Sequence, residues 1–178
     1  ETGHQVGQQD RLAQHLGHHR IAGQLGAGHA WPHAGGQGTA VAGIDLPHVV
    51  QGWDVLLGRV ETGKRVAVVS QEDYYQTPCV AEYLAAQGRQ VEVFHKSVHL
   101  ATEVARYSIG MVLKRMEQCG VVVHPNRVLK AVQSDGLEFV SSWGERTYRE
   151  QGFDTVVLVY GAIQQPALYY QLKAEAGI

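Results

Sequence analysis

Cysteine is almost missing from this chain. Cys79 and Cys119 stand alone among 178 residues, at a spacing that supports neither a disulfide framework nor a cysteine-built zinc or iron–sulfur site. They read as buried thiols of a reducing cytoplasm. Charge is also sparse, at 18% of residues with a formal net charge of −2, which excludes the basic surface that nucleic-acid binding requires. No apolar run approaches the roughly 20 residues of a membrane span. No secretory leader stands at Glu1, and the chain reads as a processed or partial product. One further absence matters most: there is no G-x-G-x-x-G anywhere, even where the surrounding pattern calls for it.

The residues that are present divide near position 42. Seven of the ten histidines (His4, His15, His18, His19, His29, His33 and His48) and ten of the 21 glycines fall within the first fifty residues. His15, His18 and His19 have helical spacing, which a metal site could use. However, Gly17 and Gly23 weaken any such helix, and no Cys, Asp or Glu is interleaved at ligand spacing. Residues 1–42 therefore read as a poorly ordered His/Gly-rich segment without a metal site.

From Gly43 onward the pattern is regular. Arg65–Ser70 is a run of β-branched and small apolar residues, as expected of a strand covered on both faces. Thr77 reads as an N-cap with Pro78 at the first helical position, Val80, Ala81, Leu84 and Ala85 form one apolar stripe, and Gly88 ends the helix. Gln90–His95 is a second strand. Ala101–Cys119 reads as a helix that buries Ile109, Val112, Leu113 and Met116, with Gly120 after it and a third strand at Val121–His124. Arg127–Val132, Leu137–Trp143 and Arg146–Arg149 alternate as an antiparallel meander. Asp154–Gly161 returns as a buried strand. The fold class is α/β: a Rossmann-like parallel sheet with an antiparallel β-meander insertion. The expected divisions are 1–42, 43–162 and a C-terminal helix over 163–178.

Between the first strand and its helix, a dinucleotide-binding unit carries glycines for a tight turn, for approach of the pyrophosphate and for helix packing. Here the loop is Ser70-Gln71-Glu72-Asp73-Tyr74-Tyr75-Gln76, with no glycine. Ser70, Gln71, Glu72, Tyr74, Tyr75 and Gly161 lie at the strand ends that form the ligand crevice of an open α/β sheet. They are the candidate cofactor-binding residues of a degenerate site. Glu72 and Asp73 read as solvated loop charges that repel phosphate, and Tyr74 and Tyr75 as rings packed on the sheet's end. His95 and His99 read as surface loop residues. Lys96 is a faint mark of a 2′-phosphate and hence of NADP. No catalytic residue is assigned.

Several stretches carry a resemblance: Gly43-Ile44-Asp45-Leu46-Pro47-His48-Val49, Gly63-Lys64-Arg65-Val66-Ala67, Asp73-Tyr74-Tyr75-Gln76-Thr77-Pro78, Ala81-Glu82-Tyr83-Leu84-Ala85 and Phe153–Gly161. Through them residues 43–178 resemble the C-terminal flavoprotein region, FAD/NAD(P)-binding-like, of the trimethylamine dehydrogenase and 2,4-dienoyl-CoA reductase family, within the wider NADH:flavin oxidoreductase group. The loop at Gln71–Gln76 is closer to the amine-dehydrogenase and N-demethylase branch. The resemblance implies a parent enzyme with an FMN-carrying TIM barrel, a four-iron cluster and a flavin domain for FAD or ADP. Residues 1–42 would then be a remnant of the adenine-nucleotide domain, and 163–178 would lead back to the flavin domain. The implied partners are those two domains and an electron-transfer flavoprotein. Three functions are compatible with it: a mainly structural domain of a flavin-dependent oxidoreductase, an NAD(P)H-binding domain of a reductase, or a non-catalytic scaffold.

Overall fold

The computed structural model describes residues 41–160 and 167–176. The chain begins with β1 (Val49–Gln51), α1 (Gly52–Leu56), β2 (Arg65–Ser70), α2 (Gln76–Ala86), β3 (Gln90–His95), α3 (Arg106–Gln118) and β4 (Val122–His124). It continues with β5 (Val128–Gln133), β6 (Gly136–Val140), β7 (Thr147–Gln151), β8 (Thr155–Val159) and α4 (Ala167–Glu175). A five-stranded sheet has the order β1-β8-β2-β3-β4, and a separate three-stranded sheet has the order β5-β6-β7. Every pairing in the larger sheet is parallel, and both pairings in the smaller one are antiparallel. The late return of β8 places it inside the large sheet, between β1 and β2. β1 was not foreseen, because three residues are too few to show a period.

The two-residue period of β2 explains the layering. Val66 and Val68 face one core with Val80, Ala81, Leu84, Val112 and Met116 from α2 and α3. Ala67 and Val69 face the other core, with Leu129, Val132, Leu137 and Phe139 from the meander. A strand buried on both sides must be apolar at every position, and Val66–Val69 is. On the meander side Phe94 anchors the packing: its ring stacks on Phe139 with centroids 4.7 Å apart, and Phe153 meets it edge-on at 5.7 Å.

Close approach requires glycine at Gly43 and Gly63, among other positions. A Cβ on Gly43 would lie 1.9 Å from the Val132 carbonyl oxygen, and its φ of +81° is one that L side chains rarely adopt. A Cβ on Gly63 would lie 2.2 Å from that of Asp154. There Asp154 Oδ2 accepts from the amides of Lys64 and Arg65 at 2.8 Å each, which fixes the start of β2.

Several local expectations need correction. α3 begins at Arg106 rather than Ala101, because Ala101 has φ 57°, a left-handed conformation no helix residue takes. Leu100, Ala101 and Val104 are buried instead in the turn before it. Leu113 is 40% exposed, so the buried face of α3 is narrower than the period implied. The second meander strand stops at Val140, and Trp143 is exposed in the turn beyond it. Cys79 and Cys119 are both exposed rather than buried. Packing also starts before residue 43: Val41 lies in the meander core, and Ala42 bridges Ala131. The histidine tract from His4 to His33 and the candidate Gly161 lie outside the described residues.

Candidate functional site

Parallel strands end together, so Ser70, His95 and Val159 come to one edge of the sheet, with the amino terminus of α2 above them. This is the crevice in which open α/β sheets bind ligands. Alternation carries His95 to the helix side, on the same face as Val91 and Val93.

Glu72 organises this edge. It is only 8% exposed. Its Oε2 accepts from the Tyr74 amide and its Oε1 from the Thr77 amide, each at 2.6 Å. The expected solvated charge is instead a buried carboxylate laid across main-chain donors at the start of a helix. The cause is local: the first amides of a helix have no intrahelical acceptor, and the positive end of the macrodipole favours an anion there. Thr77 does not cap the helix as expected. α2 starts two residues before the expected Pro78, at Gln76; the Tyr75 position makes no side-chain cap, and Glu72 does the capping from further upstream. Pro78, at the third helical position, has no amide to satisfy.

Ser70 and Thr77 are fully buried, with their hydroxyl oxygens 2.7 Å apart. Ser70 Oγ also lies 3.1 Å from His95 Nδ1 and 3.2 Å from the Glu72 carbonyl oxygen. His95 is fully buried, not a surface residue, and its Nε2 is 3.2 Å from Asp73 Oδ1, an ion-pair distance without hydrogen-bond alignment. Burial holds the His95 pKa below its ordinary value, with the Asp73 carboxylate acting against that shift. Asp73, His95 and Ser70 thus follow the order of a hydrolytic triad. No substrate can reach the buried Ser70 hydroxyl, so the cluster is a structural network rather than a nucleophile.

The loop is braced from several directions. Lys96 Nζ lies 3.3 Å from Asp73 Oδ2 and also donates to the Gln71 carbonyl. The Glu103 amide donates to the Asp73 carbonyl at 2.9 Å, and the Gln71 amide to that of Val159 at 2.9 Å. Lys96 is therefore committed to holding the loop and does not point to a 2′-phosphate. Tyr160 follows β8, and burial pushes its phenol up to about 12, with the neighbouring Gln71 side chain acting in the opposite sense. Tyr74 and Tyr75 are 61% and 43% exposed rather than packed on the sheet, and the Tyr75 hydroxyl lies 2.7 Å from that of Ser108 on α3.

A dinucleotide does not fit these residues as they stand. Its pyrophosphate needs amides at the start of α2, and Glu72 already holds two of them. Among the described residues no group of three or more His, Cys, Asp or Glu could hold a metal ion. No helix among them is long and apolar enough to cross a membrane.

Known proteins place this geometry in a wider setting. A family model described as the OYE-like second alpha/beta domain matches residues 50–159. Dimethylamine dehydrogenase of Hyphomicrobium sp. (strain x) is 29% identical over 155 residues, covering 76% of this chain and 21% of that protein. The structure of 6-hydroxypseudooxynicotine amine oxidase from Pseudomonas geniculata N1 is similar with a TM-score of 0.69 and 26% identity, over 79% of this chain and 21% of that one. A 2-naphthoyl-CoA reductase complex is similar with a TM-score of 0.66 and 25% identity, over 75% of this chain and 20% of that one. The chain spans about a fifth of the length of the curated relatives it matches.

Proposed function

The chain belongs to the OYE-like second alpha/beta domain family, and on that premise we propose that it is a mainly structural domain of a flavin-dependent oxidoreductase of the amine dehydrogenase or N-demethylase kind. In this reading the fold is Rossmann-like and its dinucleotide site is degenerate. The observation that carries the reading is the Glu72 carboxylate on the Tyr74 and Thr77 amides, in a loop without glycine. The likeness to dimethylamine dehydrogenase supports the amine branch.

The chemistry then lies in other domains of the parent enzyme. A TIM barrel supplies FMN, the substrate site and a four-iron cluster, and a flavin domain holds FAD or ADP. Electrons leave to an electron-transfer flavoprotein in the cytoplasm. This domain contributes rigidity. Its braced loop and doubly covered sheet hold a fixed surface against the flavin domain, towards which α4 leads. Leu168, Tyr169, Tyr170 and Leu172 on α4 are all more than half exposed, as a surface awaiting such a neighbour would be.

Anaerobic stopped-flow reduction of the enzyme that carries this domain tests the proposal. A secondary or tertiary amine is expected to bleach the flavin, while NADH and NADPH leave it oxidised. Rapid flavin reduction by NADH or NADPH would assign the domain to the reductase class instead.

A further inference from the structure

The outer edge of the large sheet is left unblunted. β4 is the last strand in the order β1-β8-β2-β3-β4, and among the described residues no strand pairs with its far side. Edge strands are ordinarily protected by charge, especially lysine, or by proline. Here three valines stand in succession, Val121, Val122 and Val123, and the last two are exposed. We propose that this edge and the adjoining face of α3 form a self-association surface, through which two copies of the chain pair about a two-fold axis.

Three observations select a second copy as the occupant. Gly110, Leu113, Lys114 and Glu117 of α3 line one open groove with Val121 and Val123, about 490 Å³ in volume. Its surface is apolar but for one cation and one anion. Gly110 sits inside α3, where glycine costs about 1 kcal/mol relative to alanine. A Cβ there would meet nothing within 4 Å, so no contact among the described residues requires the glycine. Close approach of another chain does. Lys114 and Glu117 are exposed, and among the described residues neither forms an ion pair. Such a groove complements itself, because in a two-fold contact a residue i that meets j is matched by j meeting i. Lys114 of each copy then meets Glu117 of the other. The pairs Lys114–Glu117 and Gly110–Val121 share one midpoint in sequence, so the same axis brings Val121 to the space that Gly110 leaves. A partner of a single charge would instead set one of the two groups against its own sign.

Sedimentation equilibrium of the full chain tests this, with circular dichroism to check that each variant is folded. A reversible monomer–dimer equilibrium is expected at about 100 μM chain, as suits an interface below the standard size. Lys114→Glu sets like charges against each other and is expected to weaken the dimer by at least about ten-fold, as is Glu117→Lys. The double exchange, Lys114→Glu with Glu117→Lys, is expected to restore association to near the parent's. Gly110→Gln fills the groove and is expected to abolish the dimer with no fall in melting temperature, because glutamine is the better helix former. A parent that stays monomeric up to about 1 mM overturns the proposal, and would leave the groove to another domain of the parent enzyme. A dimer indifferent to these changes, held through some other face, overturns it as well. So does a folded double exchange that remains as weak as the single variants. Should a charge variant not fold, Gly110→Gln decides alone, and a dimer as strong as the parent's overturns the proposal.

Discussion

Glu72→Ala should cost the fold more than any other single change in the loop. The substitution leaves the Tyr74 and Thr77 amides without the oxygens that now lie 2.6 Å from them. A hydrogen bond to a charged group contributes about 1.5–3 kcal/mol, and loss of an N-terminal cap to alanine costs about 0.5–2 kcal/mol. These figures describe the same two contacts and do not add. The desolvation of a carboxylate with 8% exposure offsets part of them. The expected loss is about 2 kcal/mol, which for a chain of this length lowers the melting temperature by about 4–8 °C. Urea denaturation of parent and variant measures it, with an unchanged slope showing that both unfold from the same compact state. Glu72→Gln should fall between them, since it keeps one acceptor oxygen and turns an amide donor towards an N–H. A Glu72→Ala chain within about 0.5 kcal/mol of the parent, below the usual cost of losing a cap, would show that the carboxylate is not holding the helix.

His95 provides a pH signature. Its pKa is lowered in the folded state, so the unfolded chain takes up the proton first; stability is full above the ordinary value of 6.5 and falls as pH drops below it. The parent should lose stability between pH 7 and 5 more steeply than His95→Asn, and parallel curves would contradict the assignment. Phe139→Ala removes a fully buried ring stacked on Phe94, and a loss of about 3–5 kcal/mol is expected by chemical denaturation. A loss below about 1 kcal/mol, small for a buried aromatic, would mean that the meander is not packed on the sheet as described.

Much of the architecture was legible because it rests on long apolar runs. Val66–Val69 and Val156–Val159 are apolar at every position, which only a doubly covered strand explains, and both proved to be central and parallel. Gly88 and Gly120, with φ of 81° and 74°, end their helices where the pattern placed them. The site was legible in outline only. The absence of glycine singled out the Ser70–Gln76 loop, but not the place of Glu72, whose burial depends on the path of a turn rather than on any period. His95 could have been read correctly: it continues the alternation of Val91 and Val93, and its polarity alone suggested a surface position. Residue type alone does not foretell that both cysteines are exposed. Cys79 lies beside the stripe of Val80, Ala81 and Leu84 rather than within it.

In the proposed reading Glu72 already occupies the start of α2, and the domain takes no dinucleotide. Fluorescence titration of the unaltered chain with NADH and NADPH tests it most directly. No saturable change is expected up to about 1 mM, a binding free energy weaker than about 4 kcal/mol. A dissociation constant below about 10 μM for either nucleotide, equivalent to about 7 kcal/mol, would require the Glu72 carboxylate to leave the Tyr74 and Thr77 amides and would contradict the account.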